Sequence, residues 1–296
     1  MEILITGATG FVGGRLCRQL LRDGHRITAL VRKGSTGKLH VGAKRLVHDL
    51  SQGPCDATPF DIVIHCAGET TPSAPSIPLE ASLNVLLAKN IAASACKRLI
   101  VISSVAASIA EHTPQLARRY GFEKLGAELV IRSTLPKGVP CVFVRAPAIY
   151  GPGVTGPIDR LSRLMAKGVP LPLANARAPR PYISTRNFET FVSTIVNAPI
   201  GLWTTAHMTT PEPHDGRLVS TAELCRMLAR VQGRRSPRLF YLPQPFVRAI
   251  ADALGKRDLA TSALDPVPLK NDGHAVTHWG WSPAETMPHT LSYLRE

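Results

Sequence analysis

Through the first half of the chain, short uninterrupted apolar runs alternate with stretches whose apolar positions recur every three or four residues. The runs are "EILIT", "RITALV", "KRLVH", "DIVIHCA", "KRLIVISS" and "PCVFVRA"; helical spacing covers 11 to 23, 79 to 96 and 116 to 133. Strands that are apolar on both faces belong to a parallel sheet covered by helices on each side. The pattern therefore predicts a doubly wound α/β domain over residues 1 to 150. Within it, "TTPSAPSIPL" reads as a loop at a strand's carboxyl end, the edge where such sheets bind ligands.

After Gly151 the pattern changes. "GPGVTGP" is a turn cluster and "KGVPLPLANARAPRPY" is punctuated by proline. Apolar spacing predicts helices near 157 to 167, 187 to 197, 220 to 232, 244 to 254 and 286 to 295, with short strands at "LWTTAH" and "RLFYL". Residues 151 to 296 are expected to form a smaller mixed lobe, interleaved with the sheet rather than independent of it.

Composition narrows the class. Apolar residues make up 44% and charged ones 19% of 296 residues, the balance of a globular protein. No apolar stretch reaches the ~18 residues of a membrane span. Met1 and Glu2 lead directly into "ILI" without a signal-peptide pattern, so the expected compartment is the cytoplasm. The net charge of +14 favours anionic partners such as nucleotides, nucleic acid or acidic lipid headgroups. The basic residues are spread out, clustering only at "RRY" and "GRRSPR", and no nucleic-acid motif accompanies them. Nucleic acid is not the expected partner. Cys17, Cys55, Cys66, Cys96, Cys141 and Cys225 form no close pairs and are read as buried thiols. His274, His278 and His289 lack supporting carboxylates or thiols, so no metal site is expected. His65 and the tryptophans Trp279 and Trp281 are read as packing residues.

Chemistry enters with "ITGATGFVGGRL". Gly7, Gly10 and Gly13 follow the first strand and open the first helix, where free amides and the helix dipole favour a phosphate. Gly7, Thr9, Gly10, Phe11, Val12 and Gly13 are thus candidates to hold a dinucleotide, and the fold expectation becomes a Rossmann-type sheet. "RITALV" ends at Arg32 and Lys33, where an acid would bind ribose hydroxyls but Arg accommodates a 2′-phosphate. NADP(H) is the preferred cofactor on this reading, with NAD(H) the alternative. Asp49 and Leu50 after the third strand can reach the adenine, and Ala67 and Gly68 after the fourth leave room for the cofactor backbone. "YGFEK" sets Tyr120 and Lys124 four apart on one helical face, where the ammonium can lower the phenol's pKa. Ser104, ending "IVISS", can hold a substrate oxygen beside Tyr120.

With these residues in view the chain resembles an extended short-chain dehydrogenase/reductase of the NAD-dependent epimerase/dehydratase family. The resemblance rests on "TGATGFVGGRL", "DIVIHCAG", "IVISS", "YGFEKLGAEL", "VRAPAIYGPGV" and "RPYISTRNF", and runs nearly end to end. It is strongest toward bacterial nucleotide-sugar 4-epimerases and UDP-4-keto-sugar reductases, on "KGVPLPL", "LVSTAELCRMLARVQG" and "WGWSP". It implies a catalytic triad of Ser104, Tyr120 and Lys124, with Pro147 near the cofactor. Thr70 and Arg180 would contact a nucleotide-sugar substrate. It also implies a homodimer, with "RRYGFEKLGAEL" at the interface. Three features depart from the family. Ser104 and Tyr120 are separated by a short segment beginning "VAASIA", Ser184 and Thr185 stand where an aspartate is common, and Pro157 stands where an asparagine is common. The same triad serves branches that reduce other carbonyls, and a non-catalytic cofactor sensor would keep the glycine loop.

Overall fold

The computed structural model describes the chain except Thr36, Lys38, Ala95, Arg234, Arg235, Lys256, Asn271, Asp272, 288–290 and 292–296. His289 and much of the helix expected over 286 to 295 lie outside the described residues. The apolar runs become β1 (Glu2–Thr6), β2 (Arg26–Val31), β3 (Lys44–Val47), β4 (Ile62–His65), β5 (Leu99–Ser104) and β6 (Cys141–Ala146). They pair in parallel in the order β3-β2-β1-β4-β5-β6, a Rossmann-type sheet whose direction of winding reverses between β1 and β4. Both faces are covered, so β1, β4 and β6 are almost wholly buried.

The connecting helices are α1 (Phe11–Arg22), α2 (Leu83–Ala93), α3 (Val105–His112) and α4 (Arg119–Thr134). The helical pattern over 79 to 96 is broken at Ser82, whose extended backbone separates a 3₁₀ turn at Leu79–Ala81 from α2. Leu87, Ala88 and Ile91 of α2 and Ala127 and Ile131 of α4 meet Val63, Leu99 and Phe143 in one core.

One polar cluster sits inside this packing. Arg145 of β6, fully buried, donates to Glu128 of α4 through Nε at 3.0 Å and Nη2 at 2.7 Å. Nη2 is also 2.7 Å from Glu111 of α3, and the Ser103 hydroxyl bonds Glu128. Buried charges persist only when paired in this way. The cluster ties α3 and α4 to β5 and β6, and so fixes the helix that carries Tyr120 and Lys124.

Past Ala146 the elements are short: β7 (Ala148–Tyr150), α5 (Pro157–Lys167), β8 (Pro179–Arg180), β9 (Tyr182–Ser184), α6 (Thr185–Asn197), α7 (Ile200–Thr205), β10 (Val219–Ser220), α8 (Thr221–Val231), α9 (Gln244–Ala253), α10 (Arg257–Leu264) and α11 (His274–Thr277). The chain divides into two units. The larger comprises Met1–Ala146, Phe188–Pro213 and Lys270–Ser282; the smaller comprises Pro147–Asn187, His214–Leu269 and Pro283–Glu296. In the larger unit Trp281 meets Phe191 edge to face at 5.1 Å and Trp279 meets Trp203 at 6.2 Å. In the smaller unit β7 pairs with β9 and β8 with β10 around a core that includes Tyr150, Ile158, Met165 and Leu228. Its central polar group is Asp215, buried, which accepts from the Tyr150 hydroxyl at 2.6 Å, the Ser184 amide at 3.0 Å and Asn187 Nδ2 at 2.7 Å.

Two expected strands are corrected. "LWTTAH" lies in α7 and the turn after it. Thr204 and Thr205 bond the carbonyls of Ile200 and Gly201, which lets these β-branched residues sit in a helix, and Trp203 faces the core. "RLFYL" forms only an isolated bridge, Leu171 to Leu239, because Pro237 and Pro243 on either side offer no amide to extend a ladder.

Candidate functional site

The glycine loop crosses the carboxyl end of β1. Gly7 has φ +67°, and a Cβ there would lie 2.7 Å from the Ala67 amide nitrogen. A Cβ at Gly13 would lie 2.3 Å from the Gly7 carbonyl oxygen. Those two glycines are therefore required by the loop's own packing against β4 and α1. Gly10 differs: its added Cβ would meet only the Gly7 carbonyl, at 3.2 Å. Gly10 is the N-cap of α1, and no side chain caps that helix, so its first-turn amides remain for an anion.

Gly7, Thr9, Gly10, Arg32, Asp49, Leu50, Ala67 and Gly68 all line one cavity of about 320 Å³ at the β1/β4 switch point. Leu30, Leu83 and Leu87 add apolar wall, and His48, Ser35 and Ser51 add polar groups. An apolar slot with few polar groups, ending at a bare helix N-terminus, fits an adenine and a diphosphate. Asp49 accepts from the Ser51 amide at 2.9 Å, and that bond is the main cause of its lowered pKa. Arg32, Lys33, Gly34, Ser35, Val47 and Asp49 line a second recess of about 370 Å³. Phe11, Val12 and Gly13 form the first turn of α1.

Ser104 and Tyr120 come together as the sequence predicts, through an element it does not show. "VAASIA" forms α3, whose N-cap is Ser104, with its Oγ accepting from the Ala106 amide at 3.2 Å. A Cβ on Gly121 would lie 2.6 Å from the Ala106 carbonyl, so a glycine beside Tyr120 lets α4 pack close to α3. The Tyr120 hydroxyl lies beside the Ser104 side chain. Burial raises the Tyr120 pKa, the proximity of Ser104 opposes it, and Glu123 reinforces the rise. Burial outweighs the expected depression by Lys124, whose ammonium donates to the Ile102 carbonyl at 2.9 Å. Burial lowers the Lys124 pKa, with Glu128 opposing. Tyr120 is thus a protonated phenol at neutral pH, poised to donate.

His65 stands beside this group. It is buried, its Nδ1 lies 2.9 Å from the Thr6 hydroxyl, and the Ala67 amide donates to the same Thr6 oxygen at 3.1 Å. Burial and then Lys124 lower the His65 pKa to about 3, so the ring is a neutral packing group.

A clamp around Tyr120 escaped the sequence reading. Glu123, buried, accepts from the Ser73 amide at 2.9 Å, from the Ser73 hydroxyl and from Asn84 Nδ2 at 3.1 Å, and is ion-paired with Arg119, whose Nε lies 3.2 Å away. Arg119 also donates to Ser73 Oγ at 2.8 Å and to the Ile77 carbonyl. Asn84 Oδ1 accepts from the Glu69 amide at 2.9 Å. The loop after β4 is thereby held to α4 next to Tyr120. The available signal was an Arg-Glu pair at i, i+4, offset by one residue from the Tyr-Lys pair. Thr70 lies exposed in the same loop. Pro147 and Arg180 belong to the smaller unit, where an Arg180 Nη1 donates to the Asp265 carbonyl. Among the described residues no cluster of His, Cys, Asp and Glu could hold a metal ion. No described helix is long and apolar enough to cross a membrane.

A bare helix N-terminus at the switch point of this strand order is the architecture of a dinucleotide-binding Rossmann protein. The family model for the NAD dependent epimerase/dehydratase family matches residues 3–199, and the chain belongs to that family of nicotinamide-dependent enzymes. It is 27% identical to a UDP-glucose 4-epimerase of Vibrio cholerae, over 97% of this chain and 92% of that one. It is 30% identical to a ceramide reductase of Caulobacter vibrioides, over 95% of this chain and 86% of that one. Among solved structures, a human epimerase-family protein with NADPH shares the fold at a TM-score of 0.72 and 20% identity, covering 100% of this chain and 98% of that one.

Proposed function

We propose that this protein is an NADP(H)-dependent oxidoreductase that reduces or epimerises a nucleotide-linked sugar at C4. The observation that carries the chemistry is Tyr120 set beside Ser104, with Lys124 one turn on. The bound nicotinamide supplies or takes up a hydride at the carbon bearing the reacting oxygen. In the reductive direction Ser104 orients the carbonyl oxygen and Tyr120 gives it a proton; in the oxidative direction Tyr120 receives one. Lys124 would bind the nicotinamide ribose. Gly10 and the first turn of α1 would hold the diphosphate, and Asp49 and Leu50 the adenosine. Arg32 and Lys33, beside the second recess, support a 2′-phosphate and hence NADP(H). The UDP-glucose 4-epimerase relative supports the sugar substrate, and the net charge of +14 favours its diphosphate.

A second reading, reduction of a lipid-borne carbonyl, is favoured by the ceramide reductase relative at 30% identity. Reduced-nicotinamide absorbance separates the two. NADPH is mixed with the protein and either a UDP-4-keto-6-deoxy-N-acetylhexosamine or a micellar keto-ceramide. Steady consumption with the first, and UDP raising the melting temperature, supports the sugar reading. Consumption with the second alone, without protection by UDP, replaces it. Tyr120→Phe should lower turnover by ~10²- to 10⁴-fold, and unchanged turnover would remove Tyr120 from the mechanism.

A further inference from the structure

α9 has two apolar faces. Val247 and Ala251 pack into the core of the smaller unit, while Phe246, Ile250 and Leu254, spaced at four, point outward at 61%, 52% and 63% exposure. Ala249 and Ala253 share that outer face. Phe240 and Tyr241, just before the helix, are exposed as well, Tyr241 at 69%. Their segment is not a loose tail: the Phe240 amide donates to the Leu171 carbonyl at 3.0 Å, and its carbonyl accepts from the Ala174 amide at 3.3 Å. A surface helix normally turns a polar face to water. Five large apolar side chains exposed between 240 and 254 mark a surface that meets something else.

The surrounding charge says what. Arg226, Arg230 and Arg238 are exposed here, while Arg248 of α9 pairs with Asp265 and Asp252 is the acid on that helix. Arg226 and Arg230, one turn apart on the exposed side of α8, line a cavity of about 200 Å³ with Ser236, Pro237, Leu239 and Ala174. The segment from Ser236 to Leu242 runs from that cavity to the exposed aromatics. Arginines beside a recess suit a phosphodiester, and apolar side chains at its margin suit acyl chains. A protein partner of matching acidity would bury the charge but not require so continuous an apolar stripe.

We infer that α9 and the segment before it dock on an anionic phospholipid bilayer, with Phe246, Ile250, Leu254 and Tyr241 entering the interface and Arg226 and Arg230 taking headgroup phosphates. The inference is independent of which substrate the enzyme reduces. It places the smaller unit at a membrane surface.

The test is sedimentation of the full chain with vesicles of phosphatidylglycerol and phosphatidylcholine in equal amounts, against phosphatidylcholine alone. The protein should partition at least about tenfold more strongly to the anionic vesicles and release as salt rises from about 0.1 M to about 0.5 M. Phe246→Ser with Ile250→Ser should weaken that partitioning by at least about tenfold. Arg226→Glu with Arg230→Glu should do so by at least about tenfold too. The melting temperature and its rise with NADPH report that each variant is folded. The inference is overturned if wild type stays in the supernatant at low salt, or if the folded serine variant binds as wild type does. It is equally overturned if wild type ignores vesicles and forms a dimer that the serine variant loses.

Discussion

At Arg32 a single side chain carries the proposed preference for NADP(H). Arg32 lines both the cleft and the neighbouring recess, so its guanidinium is within reach of whatever occupies the ribose 2′ position. Arg32→Asp should invert the preference from NADPH to NADH, read as the ratio of kcat/KM for the two; an unchanged ratio would show that Arg32 only caps β2. Tyr120 makes a second prediction at this scale. Burial and Glu123 raise its pKa, so the phenol stays protonated through neutral pH. Reductive turnover should be flat there and fall only as alkaline pH removes the proton, whereas oxidative turnover should rise over the same range. A reductive rate that already falls between pH 6 and 7 would contradict the raised pKa, since it would place the essential acid about three units below an ordinary phenol.

The order of the elements follows from chemistry visible in the sequence, while the contacts between them do not. β1, β2 and β4 to β6 were legible because strands buried on both faces need uninterrupted apolar runs. The Tyr-Lys spacing was legible because it is helical. α3 was not: "VAASIAEH" has the small residues of a tightly packed helix rather than a long amphipathic stripe, and its cap is a serine also read as substrate-binding. The Glu123 clamp was hidden for another reason, since Ser73 and Asn84 reach it from 50 and 39 residues away. That clamp carries an element-scale prediction. Although burial opposes ionisation, the bonds from Ser73 and Asn84 and the Arg119 charge keep the Glu123 pKa low, so the carboxylate is ionised. Glu123→Gln removes the charge that holds Arg119 and Ser73 together. Amide hydrogen exchange should accelerate across 70 to 78 while the core of β5 is unchanged, and KM for the substrate should rise more than kcat falls. Unchanged exchange in that segment would mean that the loop is held by other contacts.

At the scale of the whole molecule, protonation sets the stability. Burial lowers the pKa of His65 to about 3, and also lowers those of His25 and His274. In the unfolded chain an imidazole titrates near 6.5. Each of the three therefore contributes stability that is fully present above pH 6.5 and is lost as pH falls, because the unfolded state takes up protons that the fold refuses. For His65 the loss proceeds at about 1.4 kcal/mol per pH unit and continues down toward pH 3. Asp215 and Glu189 act in the opposite sense, since burial raises their pKa and folding is relieved of their charge as they protonate. Their gain begins as pH falls through their raised folded pKa and offsets part of what the histidines lose below pH 6.5. The melting temperature should fall as pH drops below 6.5, where the unfolded imidazoles begin to take up protons. His65→Asn, which keeps a polar group opposite Thr6 but cannot titrate, should reduce the slope of unfolding free energy with pH by close to one proton's worth, whatever it does to stability at pH 7. An unaltered slope would mean that His65 accepts a proton inside the fold, and that Lys124 does not repel it as their proximity requires.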